Sequence, residues 1–158
     1  MPEQLDPDDV RRLVPTDCIT LDEPPEEKAA AIEFLLDVAV DAGRVEDRET
    51  ALDDLLAREE ETTTGVGKGI AIPHAKTSAV SQPSVVFAHS SAGLDFDSMD
   101  GKPAHLLFLL LMPADGDDEH LSVLSSLSRS LMHDEVREDL STADSPETVQ
   151  NVLVEAMT

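Results

Sequence analysis

The run AHLLFLLLMP, Ala104 to Pro113, constrains this 158-residue chain more than any other segment. From Leu106 to Met112 every residue is apolar. A strand with one wet face would alternate polar and apolar residues. An unbroken short run therefore reads as a strand covered on both faces. It cannot cross a bilayer, which takes about 20 apolar residues. Helices must cover it.

The flanking sequence supplies them. EPPEEKAAAIEFLLDVAVDAG reads as a helix with Pro24 and Pro25 at its start, acids in its first turn, and Ile32, Leu35, Leu36 and Ala39 on one face. Gly43 is its expected stop. EDRETALDDLLAREE follows, with Leu52, Leu55 and Leu56 as the buried stripe. A third helix is expected from Asp117 and Asp118 onward, with Leu121, Leu124, Leu127 and Leu131 at helical spacing. DEVREDLS and SPETVQNVLVEAM close the chain, the latter with Ser145 as N-cap and Pro146 in the first turn. CITL (Cys18–Leu21), GIAIP ended by Pro73, and SVVFAHS (Ser84–Ser90) read as further strands. The expected fold is α/β, a mixed central sheet flanked by helices. Residues 1–17 read as an acidic lead-in, ordered only near Val10 to Val14, and residues 18–158 as a single domain.

The charge balance narrows the function. Against 34 acidic residues stand 11 basic ones, a net charge of −23, and the acids are spread along the whole chain. Phosphate backbones demand a basic footprint, so nucleic acid is not an expected partner. At molar salt the Debye length falls to about 3 Å, which screens such self-repulsion. A halophile's cytoplasmic protein is one reading of this composition; an acidic mesophilic protein is the other. The single cysteine, Cys18, permits no internal disulfide, and no Cys/His zinc spacing occurs. The N-terminus lacks the basic start and apolar core of a signal peptide.

The stretch TTTGVGKGIAIPHAKT carries the remaining information. Glycines at 65, 67 and 69 fit neither G-x-G-x-x-G nor a P-loop. Pro73 fixes its own φ and restrains Ile72, so the next side chain, His74, points in a set direction. Small residues leave its ring approachable, and a neutral imidazole is a competent nucleophile near pH 7. Read alone, His74 is equally a strand-end histidine held by a backbone hydrogen bond. Lys68 and Lys76, two of the four lysines, flank it. His89, His105 and His133 read as structural. No HExxH pair is present, and DGDDE lacks the rest of a calcium loop.

This stretch closely resembles the active-site signature of the Enzyme IIA components of the phosphoenolpyruvate-dependent sugar phosphotransferase system, in the fructose–mannitol class that includes the nitrogen-regulatory IIA proteins. Arg58 in LLAREE and His120 in DDEHLSVL match two further family positions. Ala75 stands where relatives usually have glycine. The resemblance implies that His74 accepts a phosphoryl group from the phosphocarrier HPr and donates it to a cysteine of Enzyme IIB, for uptake of fructose or a related sugar. It implies that Arg58 and His120 compensate the phosphoryl charge; independently of the resemblance, Lys68 and Lys76 would add local positive charge beside His74, and Thr64 is a further weak contributor. The resemblance further implies no cofactor or metal beyond the covalent phosphoryl, and a place beside a membrane permease without insertion. A regulatory IIA protein, acting through partner binding, is the alternative within the family. A pure interaction module is the alternative outside it. If salt screens the docking charges, an apolar collar of Val66 and Ile70 around His74 is expected to dock the partner.

Overall fold

The structure is a computed structural model that describes residues 6–114 and 119–158, with the side chains of residues 119–121 outside the description. In chain order its elements are α1 (Pro7–Leu13), α2 (Lys28–Asp41), α3 (Arg48–Glu61), β1 (Gly65–Gly67), β2 (Ile70–Ala71), β3 (His74–Thr77), β4 (Ser84–Leu94), β5 (Ala104–Pro113), α4 (Glu119–Ser130), α5 (Asp134–Thr142) and α6 (Pro146–Met157).

The apolar run is the central strand β5. Antiparallel β4 lines one edge, with Phe87 opposite Phe108 and their ring centroids 5.2 Å apart. Parallel β2 and β3 share the other edge, one after the other, and β1 pairs with β2 beyond them. Side chains alternate between the two faces, as a pleated strand requires. Leu106, Phe108, Leu110 and Met112 pack under α1, α4, α5 and α6, against Val10, Leu127, Leu131, Leu140 and Leu153. Leu107, Leu109 and Leu111 pack on the other side against Ile32, Leu35 and Leu36 of α2 and Leu55 of α3. The sheet is therefore mixed and covered on both faces by helices, as the run demands.

Helix ends follow local chemistry. Gly43, at φ 78°, ends α2 in a Schellman motif: its N–H reaches Val40 O at 3.0 Å and Arg44 N–H reaches Ala39 O at 3.0 Å. Ser145 caps α6 through Thr148 N–H, with Pro146 in the first turn.

Four expectations change. Residues 7–14 are not a loose lead-in: Asp6 and Asp9 form a capping box, Pro7 opens the helix, and Val10, Leu13 and Val14 enter the core. CITL is not a strand, because Thr16–Cys18 closes a 3₁₀ turn and only Ile19 bridges Phe87. Helix α2 starts at Lys28, leaving Pro24, Pro25 and the acids before it; Pro25 disfavours a helical Pro24. Finally, the strand that Pro73 interrupts resumes. Ile70 lies opposite Leu106 and His74 opposite Leu110, so the register is the same on both sides of the proline. Pro73 lacks an N–H for the ladder, yet its carbonyl still accepts Leu110 N–H at 2.9 Å. Asp117 and Asp118, the expected opening of α4, lie outside the described residues.

Candidate active site

The glycine-rich stretch is a hairpin. β1 and β2 are joined at Lys68–Gly69, with φ of 57° and 78°. Positive φ at both central positions is the mark of the turn that matches strand twist, and it favours glycine. Lys68 is held there by its N–H, donated to Asp100 Oδ2 at 2.9 Å, while Asp100 Oδ1 accepts Lys102 N–H at 3.1 Å. The Lys68 N–H, then the Lys102 N–H, hold the Asp100 carboxyl below its ordinary value. Gly67, at φ 92°, lies so close that a Cβ there would sit 3.2 Å from Asp100 Oδ2. The glycine spacing thus serves a tight turn packed on Asp100.

The hairpin delivers the chain to Pro73 and His74. Alternation places Ile70 and Ile72 in the core under α4–α6, and His74, half-buried, emerges on that same face. Its Nδ1 lies 2.7 Å from Ile72 O. A carbonyl can only accept, so Nδ1 carries the proton, and in the neutral ring the in-plane lone pair is on Nε2. A backbone hydrogen bond at Nδ1 and a nucleophilic role at Nε2 are thus compatible in one ring, not rival readings.

The expected partners are distributed as follows. Arg58 sits in the last turn of α3, half-buried, with Nη1 donating to Thr62 O at 3.2 Å. It thereby ties the helix end to the first residue of the signature. Thr64 is buried, and its hydroxyl is given to Glu59 Oε1 at 2.6 Å, so it holds the loop instead of facing solvent. Lys76 is exposed on β3, on the same strand face as His74, and Lys68 is exposed at the turn. The His120 side chain lies outside the described residues, although Glu119–Ser130 is the helix that carries it. Ile70 is fully buried and belongs to no collar; of that pair only Val66, 45% exposed, remains at the surface.

Sequence reasoning passed over Lys28, Glu59 and Asp100. Glu59 accepts from Thr64 N–H at 2.9 Å and pairs with Lys28 Nζ at 2.8 Å. Nothing in the run Glu59–Glu61 marks its first member, because its burial is a tertiary fact. His105 donates from Nδ1 to Ser90 O at 2.8 Å and, with His89, Lys68, Gly69 and Arg137, lines a cleft beside the hairpin turn. Among the described residues no group of three or more His, Cys, Asp or Glu is placed to hold a metal ion.

The site is thus a histidine presented from a mixed, doubly covered sheet by a glycine hairpin and a proline. The chain matches the family described as "Phosphoenolpyruvate-dependent sugar phosphotransferase system, EIIA 2" over residues 12–156, and it belongs to that family. A "PTS system fructose-specific EIIA component" of Haloferax volcanii is 61% identical over 153 residues, 97% of this chain and 99% of that protein. That source fits the salt-adapted reading of the acidic surface. The nitrogen regulatory protein IIA-Ntr of Neisseria meningitidis has the same fold, with a TM-score of 0.80 and 33% identity, over 91% of this chain and 98% of that one. The mannitol enzyme IIA of Escherichia coli, solved in complex with its phosphorylated enzyme IIB, superposes with a TM-score of 0.75 and 27% identity, over 88% of this chain and 95% of that one. Among the described residues no helix is long and apolar enough to cross a membrane.

Proposed function

We propose that this chain is a cytoplasmic phosphocarrier of a fructose-class sugar phosphotransferase system. His74 Nε2 attacks the phosphorus of phospho-HPr; the P–Nε2 bond forms as the donor's bond to phosphorus breaks, and Nδ1 keeps its proton. In the second half-reaction a cysteine of Enzyme IIB takes the phosphoryl group and the imidazole is restored. The observation that supports this reading is the 2.7 Å bond from Nδ1 to Ile72 O, which leaves the lone pair on Nε2 for the phosphoryl group. Phosphoryl transfer asks the protein chiefly for positioning and charge compensation. Arg58 supplies the second, with His120 from the start of its helix and Lys76 from the same strand.

The fructose assignment rests on the Haloferax volcanii relative, alike over nearly its whole length. The likeness to IIA-Ntr favours a second reading, in which phosphorylated His74 governs binding to a regulatory partner. Intact mass after incubation with phospho-HPr in high salt tests the shared step. One acid-labile phosphoryl group is expected on the wild type and none on His74→Ala. No transfer, with HPr still phosphorylated, overturns the proposal. Onward transfer to a sugar-specific Enzyme IIB then separates transport from regulation.

A further inference from the structure

We infer that Glu59 is a positioning residue for His74, acting from the end of α3 through the hairpin onto the imidazole. The inference deepens the phosphocarrier reading and rests on it for its consequence in transfer. It stands on a continuous line of hydrogen bonds. The Glu59 side chain is 7% exposed. Its Oε2 accepts from Lys28 Nζ at 2.8 Å and from Thr64 N–H at 2.9 Å, and its Oε1 accepts from the Thr64 hydroxyl at 2.6 Å. The Thr64 carbonyl, in turn, accepts Ile72 N–H at 3.0 Å. The Ile72 carbonyl accepts His74 Nδ1–H at 2.7 Å.

The coupling is geometric. At Thr64 and at Ile72 the line enters through one peptide group and leaves through another, so no polarisation passes along it. What passes is position. Both ends of Thr64 are fixed, so Ile72 N–H has one place to dock, and the Ile72 carbonyl then selects the Nδ1–H tautomer of His74. That selection is what keeps the lone pair on Nε2.

Glu59 does this as an acceptor. It meets donors at both oxygens, and an ionised carboxylate is the acceptor-only side chain of this length. Leucine keeps the length of the side chain but accepts nothing, leaving both Thr64 donors without their acceptor. Lys28, whose Nζ also lies 5.3 Å from the centroid of the Phe96 ring, anchors the carboxylate from α2.

The test is ¹⁵N NMR of the His74 ring in the unphosphorylated protein, beside the rate of phosphorylation by phospho-HPr. In the wild type Nδ1 is expected protonated and Nε2 bare. In Glu59→Leu the Nε2–H tautomer is expected to become a substantial population, with transfer slowed at least tenfold. A folded Glu59→Leu protein with an unchanged tautomer overturns the inference, whatever its melting temperature. If that variant does not fold, Thr64→Val decides, because it removes only the hydroxyl donor. A partial tautomer shift supports the inference and none overturns it. The two readings separate cleanly. A tautomer shift in a protein whose wild type takes no phosphoryl group leaves positioning standing and removes the phosphocarrier. Normal transfer with no shift does the reverse.

Discussion

His74 owes its direction to Pro73 and its tautomer to Ile72, and Arg58 gives the charge logic its most direct test. At the end of α3 its guanidinium is half-buried and already spends one N–H on the Thr62 carbonyl. The fork keeps further donors for an anion at the signature loop. Replacing Arg58 by alanine should slow phosphorylation of His74 roughly tenfold to a hundredfold, the loss of one or two hydrogen bonds to a charged group at ~1.5 kcal/mol or more each. Lysine should recover only part of this, since an ammonium keeps the charge and loses the planar fork. Rapid-quench phosphorylation of the three proteins by phospho-HPr checks it. Equal rates would remove Arg58 from the transfer step. Arg58, like His74, was singled out by the resemblance of the signature and its flank. Glu59 was not, because its neighbours Glu60 and Glu61 are chemically identical and exposed. Only the fold, which turns Glu59 inward to meet Lys28, tells them apart.

At the scale of elements, legibility followed hydrophobic pattern. β5 declared itself through seven consecutive apolar residues, and α6 through its cap and period. The hairpin and β3 stayed hidden. β1 is three residues, Gly-Val-Gly, with no period to read, and Pro73 masked the resumption of the strand. What holds that hairpin predicts its pH response. Asp100 is held below its ordinary value of 3.8 by the N–H groups of Lys68 and Lys102. A depressed folded-state value means that the carboxylate's contribution is fully present above the ordinary value and is lost as pH falls through the depressed one. The turn should therefore loosen only in acid, beginning near pH 3.8 and continuing below it. The Lys68 amide shift should titrate in that window and its hydrogen exchange should quicken. Asp100→Asn keeps one acceptor oxygen, so it should lose one of the two bonds at every pH and show no titration. A Lys68 amide that titrates identically in both proteins would assign the effect to another group.

For the whole molecule the deciding quantity is the net charge of −23. Salt acts on it in two directions. It weakens attractive pairs such as Arg48 with Asp37 and Glu33, which tie α3 to α2 at 2.6 and 2.8 Å. It also weakens repulsion among 34 acids, which outnumber the 11 basic residues threefold. Most charge pairs on this surface are therefore repulsive, and repulsion between neighbouring acids acts over distances that attractive contacts do not span. Raising chloride salt from 0.1 to 1 M shortens the Debye length from about 10 Å to about 3 Å, which removes the longer-range repulsion first. The melting temperature should rise across that range by at least ~5 °C, or roughly 2 kcal/mol for a chain of this size. Scanning calorimetry in potassium chloride, beside sucrose of equal osmolality, measures it. Sucrose favours the folded state by exclusion from the surface and leaves charge unscreened. A rise in salt that sucrose fails to match identifies screening. A flat or falling melting temperature would mean that the attractive pairs carry more stability than the repulsion removes, and that the acidic surface serves solubility alone.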